Sequence, residues 1–269
     1  MSKGTVLLVA SNASEIEVVG GQMKPTGYYL NELVVPVMAV LNAAYDVVLA
    51  TPSGGKPHLD KVSDIAAHFG GSEERLKAAR DFIATNPIMQ SPRTLRSVID
   101  GGLDKYVALF VPGGQAPVVD LMQDPDLGEI LRYFHAHKKI SAFLCHGPIS
   151  TISAMPNAKE FRAALVTGDT AKAKELAKGW QYAGYNMTIF ANAEEKWVED
   201  DILHAKMYFH MVDALQIAGA KVITAPKVFE PNLVVDRELI TGQNPASDHK
   251  IGEALVAALG RQTAGTKAA

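Results

Sequence analysis

The chain has 269 residues, 48% hydrophobic and 20% charged, with a formal net charge of −3. That composition is ordinary for a globular protein with its own core, and it lacks the basic surplus that nucleic-acid binding draws on. One cysteine excludes an intrachain disulfide and suits a reducing compartment.

The N-terminal segment MSKGTVLLVASN lacks a signal peptide's long apolar core and reads as a first strand over Thr5–Ala10. A helix is predicted over Asn31–Ala44 and a strand over Asp46–Ala50. The apolar window Leu33–Ala50 is broken by Pro36, Asn42 and Asp46, so it is a poor membrane span. The chain is expected to be cytoplasmic, with no nucleic-acid or membrane partner. Further helices are predicted over Ser72–Ala84, Val118–His137 and Asp200–Ala218, and strands over Val107–Val111, Ile140–Leu144 and Lys221–Ala225. Continuous β-branched runs mark strands buried on both faces, and the alternation with helices predicts a parallel sheet covered on both sides.

Toward the end, Asn232–Val235 and Glu238–Thr241 flank Asp236-Arg237 as a hairpin, and Ala246–Leu259 closes the chain as a helix. The tail at 261–269 is expected to fray. Two connections are long, Thr51–Gly71 and Met155–Trp197, and such insertions often wall a site. No linker or repeat divides the sequence. It reads as one domain over 1–269 with a helical insertion at roughly 155–197.

The chemistry concentrates in ISAFLCHGPIS. A buried strand delivers Cys145 to a turn at its carboxyl end, followed by His146, Gly147 and Pro148. Sites in open parallel sheets form there, and a nucleophile on such an elbow stands exposed above the sheet. A helix N-terminus behind it would lower the thiol pKa, giving a thiolate near neutral pH. The alternative is an inert core cysteine. Upstream, Val107–Val111 runs into Pro112, Gly113, Gly114 and Gln115. This is either a strand-end turn or a source of backbone amides for an oxyanion, from Gly114 with Cys145 or His146. Glu32 reads, by itself, as an exposed first-turn glutamate favourable against the helix dipole. Glu194 and Glu195 read, by themselves, as solvated loop residues. His135 and His137 would face different directions on one helix, and His204 and His210 lie apart, so no metal site is expected. Tyr28, Tyr29, Trp180, Tyr185 and Trp197 are candidates for a cleft wall, or simply packing.

Taken together, LCHGP, VPGG, GYYLNELVVP with Glu32, and TGQNPAS resemble the ThiJ/PfpI superfamily. The likeness is to its larger branch, which holds glutathione-independent glyoxalase III enzymes and heat-shock holding chaperones. The resemblance implies a flavodoxin-like sheet sandwiched by helices, and commonly a homodimer. It makes Cys145 the nucleophile, with His146 beside it, and Glu32 a protonated glutamate hydrogen-bonded to the thiolate. It places the third acid after MTIFANAEE, at Glu195 in preference to Glu194. It implies conversion of methylglyoxal or similar small α-oxoaldehydes to 2-hydroxy acids, with no glutathione, metal or organic cofactor. Gly113, Gly114 and Gln115 would then line the oxyanion and substrate pocket. Related glyoxalases usually carry Gly-Gly-His-Gly where this chain has Gly113-Gly114-Gln115-Ala116, so an imidazole and a flexible glycine are lost. A holding chaperone, or a redox sensor built on Cys145, is the alternative of a different class. A hydrolase or amidotransferase is disfavoured, because the histidine directly follows the cysteine.

Overall fold

The computed structural model describes residues 2–267. Seven strands form one sheet: β1 (Thr5–Val9), β2 (Asp46–Thr51), β3 (Arg93–Thr94), β4 (Tyr106–Val111), β5 (Ile140–Leu144), β6 (Leu233–Asp236) and β7 (Leu239–Gly242). Their order is β6-β7-β5-β4-β1-β2-β3, and only the β6–β7 pair is antiparallel. The sheet is the flavodoxin-like one expected.

Each central strand feeds two cores. Leu7, Val9, Leu109, Val111 and Phe143 face one side. Val6, Leu8, Ala108, Phe110 and Leu144 face the other. This two-sided burial is why the strand sequences run apolar without alternating. On the second face, α1 (Leu30–Asn42) packs against the closing helix, which spans Asp248–Lys267. A buried bond from Asn31 Nδ2 to Asp248 Oδ2, 2.9 Å long, ties the two together. The first face carries a helix over Pro125–Ala136, the 3₁₀ segment Gly147–Ala154 and a helix over Met211–Ala218. Phe161, Trp180 and Tyr182, from the stretch read as an insertion, are buried in this same core.

Several boundaries differ from those read in the sequence. The helix predicted from Val118 begins at Pro125, because proline holds the preceding residue extended and Asp124 caps the new start by accepting from Leu127 N at 2.8 Å. Of the helix predicted over Asp200–Ala218, the first residues belong to a π-helical turn, Val198–Leu203, and an α-helix resumes only at Met211. Glu199 accepts from Met207 N at 2.7 Å and pairs with Lys206 and His210, so a side chain replaces helical backbone bonds and His204 turns left-handed. The strand predicted over Lys221–Ala225 lies outside the main sheet. Only Lys221–Val222 is extended, paired with Asn186–Met187, because the hairpin occupies the sheet edge beside β5. That hairpin is shifted by one residue, with Arg237 left-handed in its turn. The closing helix extends to Lys267, into the stretch expected to fray; residues 268–269 lie outside the described residues. No helix among the described residues is long and apolar enough to cross a membrane.

Candidate active site

Cys145 sits where β5 ends, with φ at +59°. A side chain in that left-handed region is strained, and the neighbourhood must hold it there. Three constraints do so. The Cys145 amide donates to Gly242 O at 2.9 Å, and its carbonyl accepts from Phe190 N at 3.1 Å. At Gly147, two residues on, a Cβ would come within 2.7 Å of Val111 O, so that position must be glycine for the two strand ends to meet. The segment behind the elbow is a 3₁₀ helix, Gly147–Ala154, not an α-helix.

The two glycines after β4 are required by close approach. A Cβ on Gly113 would overlap Cys145 Cβ and Glu32 Oε2, and one on Gly114 would overlap Gly27 O. Gly114 also has φ at +82°. The Gly113 amide donates to Glu32 Oε2 at 3.0 Å. The Gly114 amide is directed at the Cys145 sulfur. Of the amides considered for an oxyanion, that of Cys145 is committed to Gly242, which leaves Gly114 and His146.

Glu32 is fully buried in the first turn of α1, its carboxyl against the thiol, and Oε1 has no hydrogen-bond partner. Burial pushes its pKa from 4.5 up to about 8, against smaller downward pulls from the Cys145 and Gly113 contacts. The solvent-facing reading of Glu32 is therefore excluded, and its carboxyl holds a proton at neutral pH. Burial also pushes the Cys145 thiol well up, and an ionised Glu32 would push it further. Enclosure thus opposes the thiolate expected near neutral pH. The sulfur is more enclosed than the sequence implied, and no α-helix stands behind it. Protonated Glu32 removes the repulsion and leaves a donor beside the sulfur.

His146 bridges the thiol and an acid. Its Nδ1 lies 3.3 Å from Cys145 Sγ, and its Nε2 lies 2.8 Å from Glu195 Oε2. With a proton on Nε2 held by the carboxylate, Nδ1 is left to accept the thiol proton. The ring of Phe190 lies 4.6 Å from the imidazole, tilted by 30°. Glu195 is itself held. Gln115 Nε2 donates to its other oxygen, Oε1, at 2.7 Å. Gln115 thus braces the acid as well as lining the cleft.

Glu194 points elsewhere. Its Oε1 accepts from Phe229 N at 2.8 Å, Gln243 Nε2 at 3.0 Å and Asn244 Nδ2 at 2.7 Å, while Oε2 accepts from Ala191 N at 2.8 Å. Both glutamates are fully buried on the short helix Asn192–Trp197, not in a solvated loop. TGQNPAS is thereby explained: Gln243 and Asn244 anchor the helix that presents Glu195.

A cleft of about 450 Å³ opens over Cys145 and His146. Asp60, Val62, Ile65 and His68, from the long Thr51–Gly71 connection, form part of its wall, and Tyr29, Phe190, Trp197 and Phe229 also line it. Tyr28, Trp180 and Tyr185 are buried in the cores and do not reach it. His135 is bonded to Glu238 and Tyr185, and His210 to Glu199. Sequence reasoning missed Phe190 as a stacking partner of His146, Phe229 and Asp60 in the wall, and Gln115 as a brace. Gln115 was legible as a departure from the family pattern, but its partner was not.

A family model described as ThiJ/PfpI family-like matches residues 23–200. The chain belongs to that family. The protein/nucleic acid deglycase HchA of Staphylococcus aureus is 23% identical over 265 residues, covering 94% of this chain and 79% of the relative. Among solved structures, glyoxalase III from Candida albicans superposes with a TM-score of 0.72 at 19% identity, covering 95% of this chain and 97% of the other. Rapid Encystment Protein 24 kDa from Francisella tularensis gives a TM-score of 0.70 at 21% identity, covering 95% and 99%. At such identities the ThiJ/PfpI sandwich is what these structures share with this chain.

Proposed function

We propose that this ThiJ/PfpI-like protein is a glyoxalase III-type enzyme that converts α-oxoaldehydes to 2-hydroxy acids without glutathione. The observation that carries the reading is the relay from Cys145 Sγ to His146 Nδ1, at 3.3 Å, and from His146 Nε2 to Glu195, at 2.8 Å, at the floor of the cleft. The names of the deglycase and glyoxalase relatives point the same way.

In this reading His146 Nδ1 takes the thiol proton as sulfur attacks the aldehyde carbon, giving a hemithioacetal. The amides of Gly114 and His146 hold the new oxyanion. Having passed the thiol proton to the oxyanion, His146 takes the C1 proton; protonated Glu32 delivers its proton to C2 and is reprotonated from His146, so that an enediol gives way to a thioester. Water then cleaves the thioester, releasing the hydroxy acid and restoring the thiol. One water is consumed, and no oxidant or reductant is needed. The attack needs the thiolate only while aldehyde is bound, which is compatible with a resting thiol.

The test is incubation of purified protein with methylglyoxal, without glutathione, while lactate is assayed. Lactate should form with wild type and not with Cys145→Ser. Full turnover by Cys145→Ser would sink covalent catalysis at this residue.

A further inference from the structure

The cleft is built for something larger and greasier than methylglyoxal, which has five heavy atoms. Its volume of about 450 Å³ lies in the range that encloses a ligand several times that size. No lysine or arginine is among its lining residues, so no permanent cation there favours a substrate bearing a phosphate or carboxylate. Four of the ten exposed large hydrophobic side chains among the described residues converge on it: Val62, 38% exposed, Ile65, 45%, Trp197, 44%, and Phe229, 37%. Isolated exposed hydrophobics are normal, but this many lining one concavity mark a binding surface.

The aromatic rings are ordered along the cleft. Phe190 lies 4.6 Å from the His146 ring, Phe229 lies 6.2 Å from Phe190, and Trp197 meets Phe229 edge-on at 5.3 Å. Trp197 and Phe229 are partly exposed at the outer end, while Phe190 is buried against the imidazole. A ligand whose carbonyl carbon meets Cys145 would run past this series. An aryl group could stack against it and cover apolar surface that otherwise faces water.

We propose that the site prefers α-oxoaldehydes bearing a neutral, ring-sized apolar substituent, the aryl glyoxals, over methylglyoxal. This rests on the glyoxalase reading above. The chemistry is unchanged: phenylglyoxal plus water gives mandelate through the same hemithioacetal and thioester. The ring adds binding without adding a reacting atom, so the preference is carried by KM more than by kcat.

Two measurements test it. In the first, kcat/KM is compared for glyoxal, methylglyoxal and phenylglyoxal without glutathione, in wild type, Trp197→Ala and Phe229→Ala. Burying one ring predicts a preference for phenylglyoxal of about tenfold or more, most of it in KM. Each substitution should cut the phenylglyoxal-to-methylglyoxal ratio by about threefold or more. Methylglyoxal used as well as phenylglyoxal by wild type, or a ratio untouched by both substitutions, overturns the proposal. In the second, binding of the unreactive ketones acetophenone and acetone is followed by calorimetry. Acetophenone binding no tighter than acetone overturns the ring preference whatever the turnover. Tight acetophenone binding with no glyoxal turned over supports the ring preference and removes the glyoxalase reading alone.

Discussion

Replacing Glu32 with glutamine should make the protein more stable at neutral pH, by an amount that depends on pH. Glu32 is fully buried, with one oxygen unpartnered, and its pKa rises from 4.5 to about 8. Between those values the carboxyl is neutral in the fold and ionised in the unfolded chain. Unfolding therefore releases a proton, and the stability Glu32 contributes is full below 4.5 and is lost as pH rises toward 8. The loss accrues at about 1.4 kcal/mol per pH unit. By pH 7 it reaches about 3 kcal/mol. Glutamine has nearly the shape of the protonated acid and carries no such cost. Any difference arising from the shape of its amide is constant with pH, and titrating groups remote from Glu32 cancel between the two proteins; the Cys145 thiol, which does feel Glu32, is pushed well up by burial. Urea denaturation of wild type and Glu32→Gln at pH 4.5, 5.5, 7 and 8.5 should show the variant gaining relative stability up to about pH 8 and then levelling. A difference that does not change with pH would refute the burial argument, and a gap widening toward acid would reverse its sign.

The same titration has a kinetic side: turnover that uses the Glu32 proton should fall as pH rises above about 8, and Glu32→Gln should lack that limb. A pH-rate profile flat to pH 10 would remove Glu32 from the proton relay. Glu195→Gln is expected to lower turnover by about tenfold or more, at least about 1.4 kcal/mol of barrier, because it loosens the charge that orients His146. Wild-type kinetics from that variant would leave His146 without a working partner. Glu194→Gln acts on folding instead. It turns an amide N–H₂ toward backbone and side-chain donors, so Tm should drop by the equivalent of about 2 kcal/mol, and an unchanged melting curve would contradict the bonding described for Oε1. Gly114→Ala combines a strained φ of +82° with overlap on Gly27 O, and should yield poorly folded protein; normal expression and activity would show that the turn can open.

What was legible in the sequence divides along physical lines. The central strands and α1 came through because their burial is set by local apolar runs. The elbow came through because Cys145, Gly147 and Pro148 are adjacent in the chain. The grouping of Cys145 with Glu32 and Glu195 owed its legibility to the resemblance, since these residues lie far apart in sequence and nothing local binds them. The start of the helix at Pro125 could have been read from Asp124-Pro125, a standard cap and first-turn pair. The break at His204 could not, because it depends on Glu199 capturing Met207 N, Lys206 and His210 from outside its own turn. The pull of enclosure on Cys145 was hidden for a related reason. Its ionisation is governed by enclosure and by the charge of Glu32, neither of which is written in the residues beside it.

The Glu194 anchor carries a consequence for how the protein matures. The helix bearing Glu195 is held by Gln243 and Asn244, and the Cys145 amide is held by Gly242, residues synthesised about a hundred positions after the cysteine. Closing such loops is slow and late compared with forming local helices. A nascent chain can present Cys145 and His146 long before their surroundings exist, but its acid stays loose until the hairpin has emerged and docked. Reactivity is thus withheld until Gly242, Gln243 and Asn244 have emerged and docked. A fragment ending before Gly242 would carry the thiol without the machinery to use it, sparing the growing chain an active nucleophile among its own unburied segments.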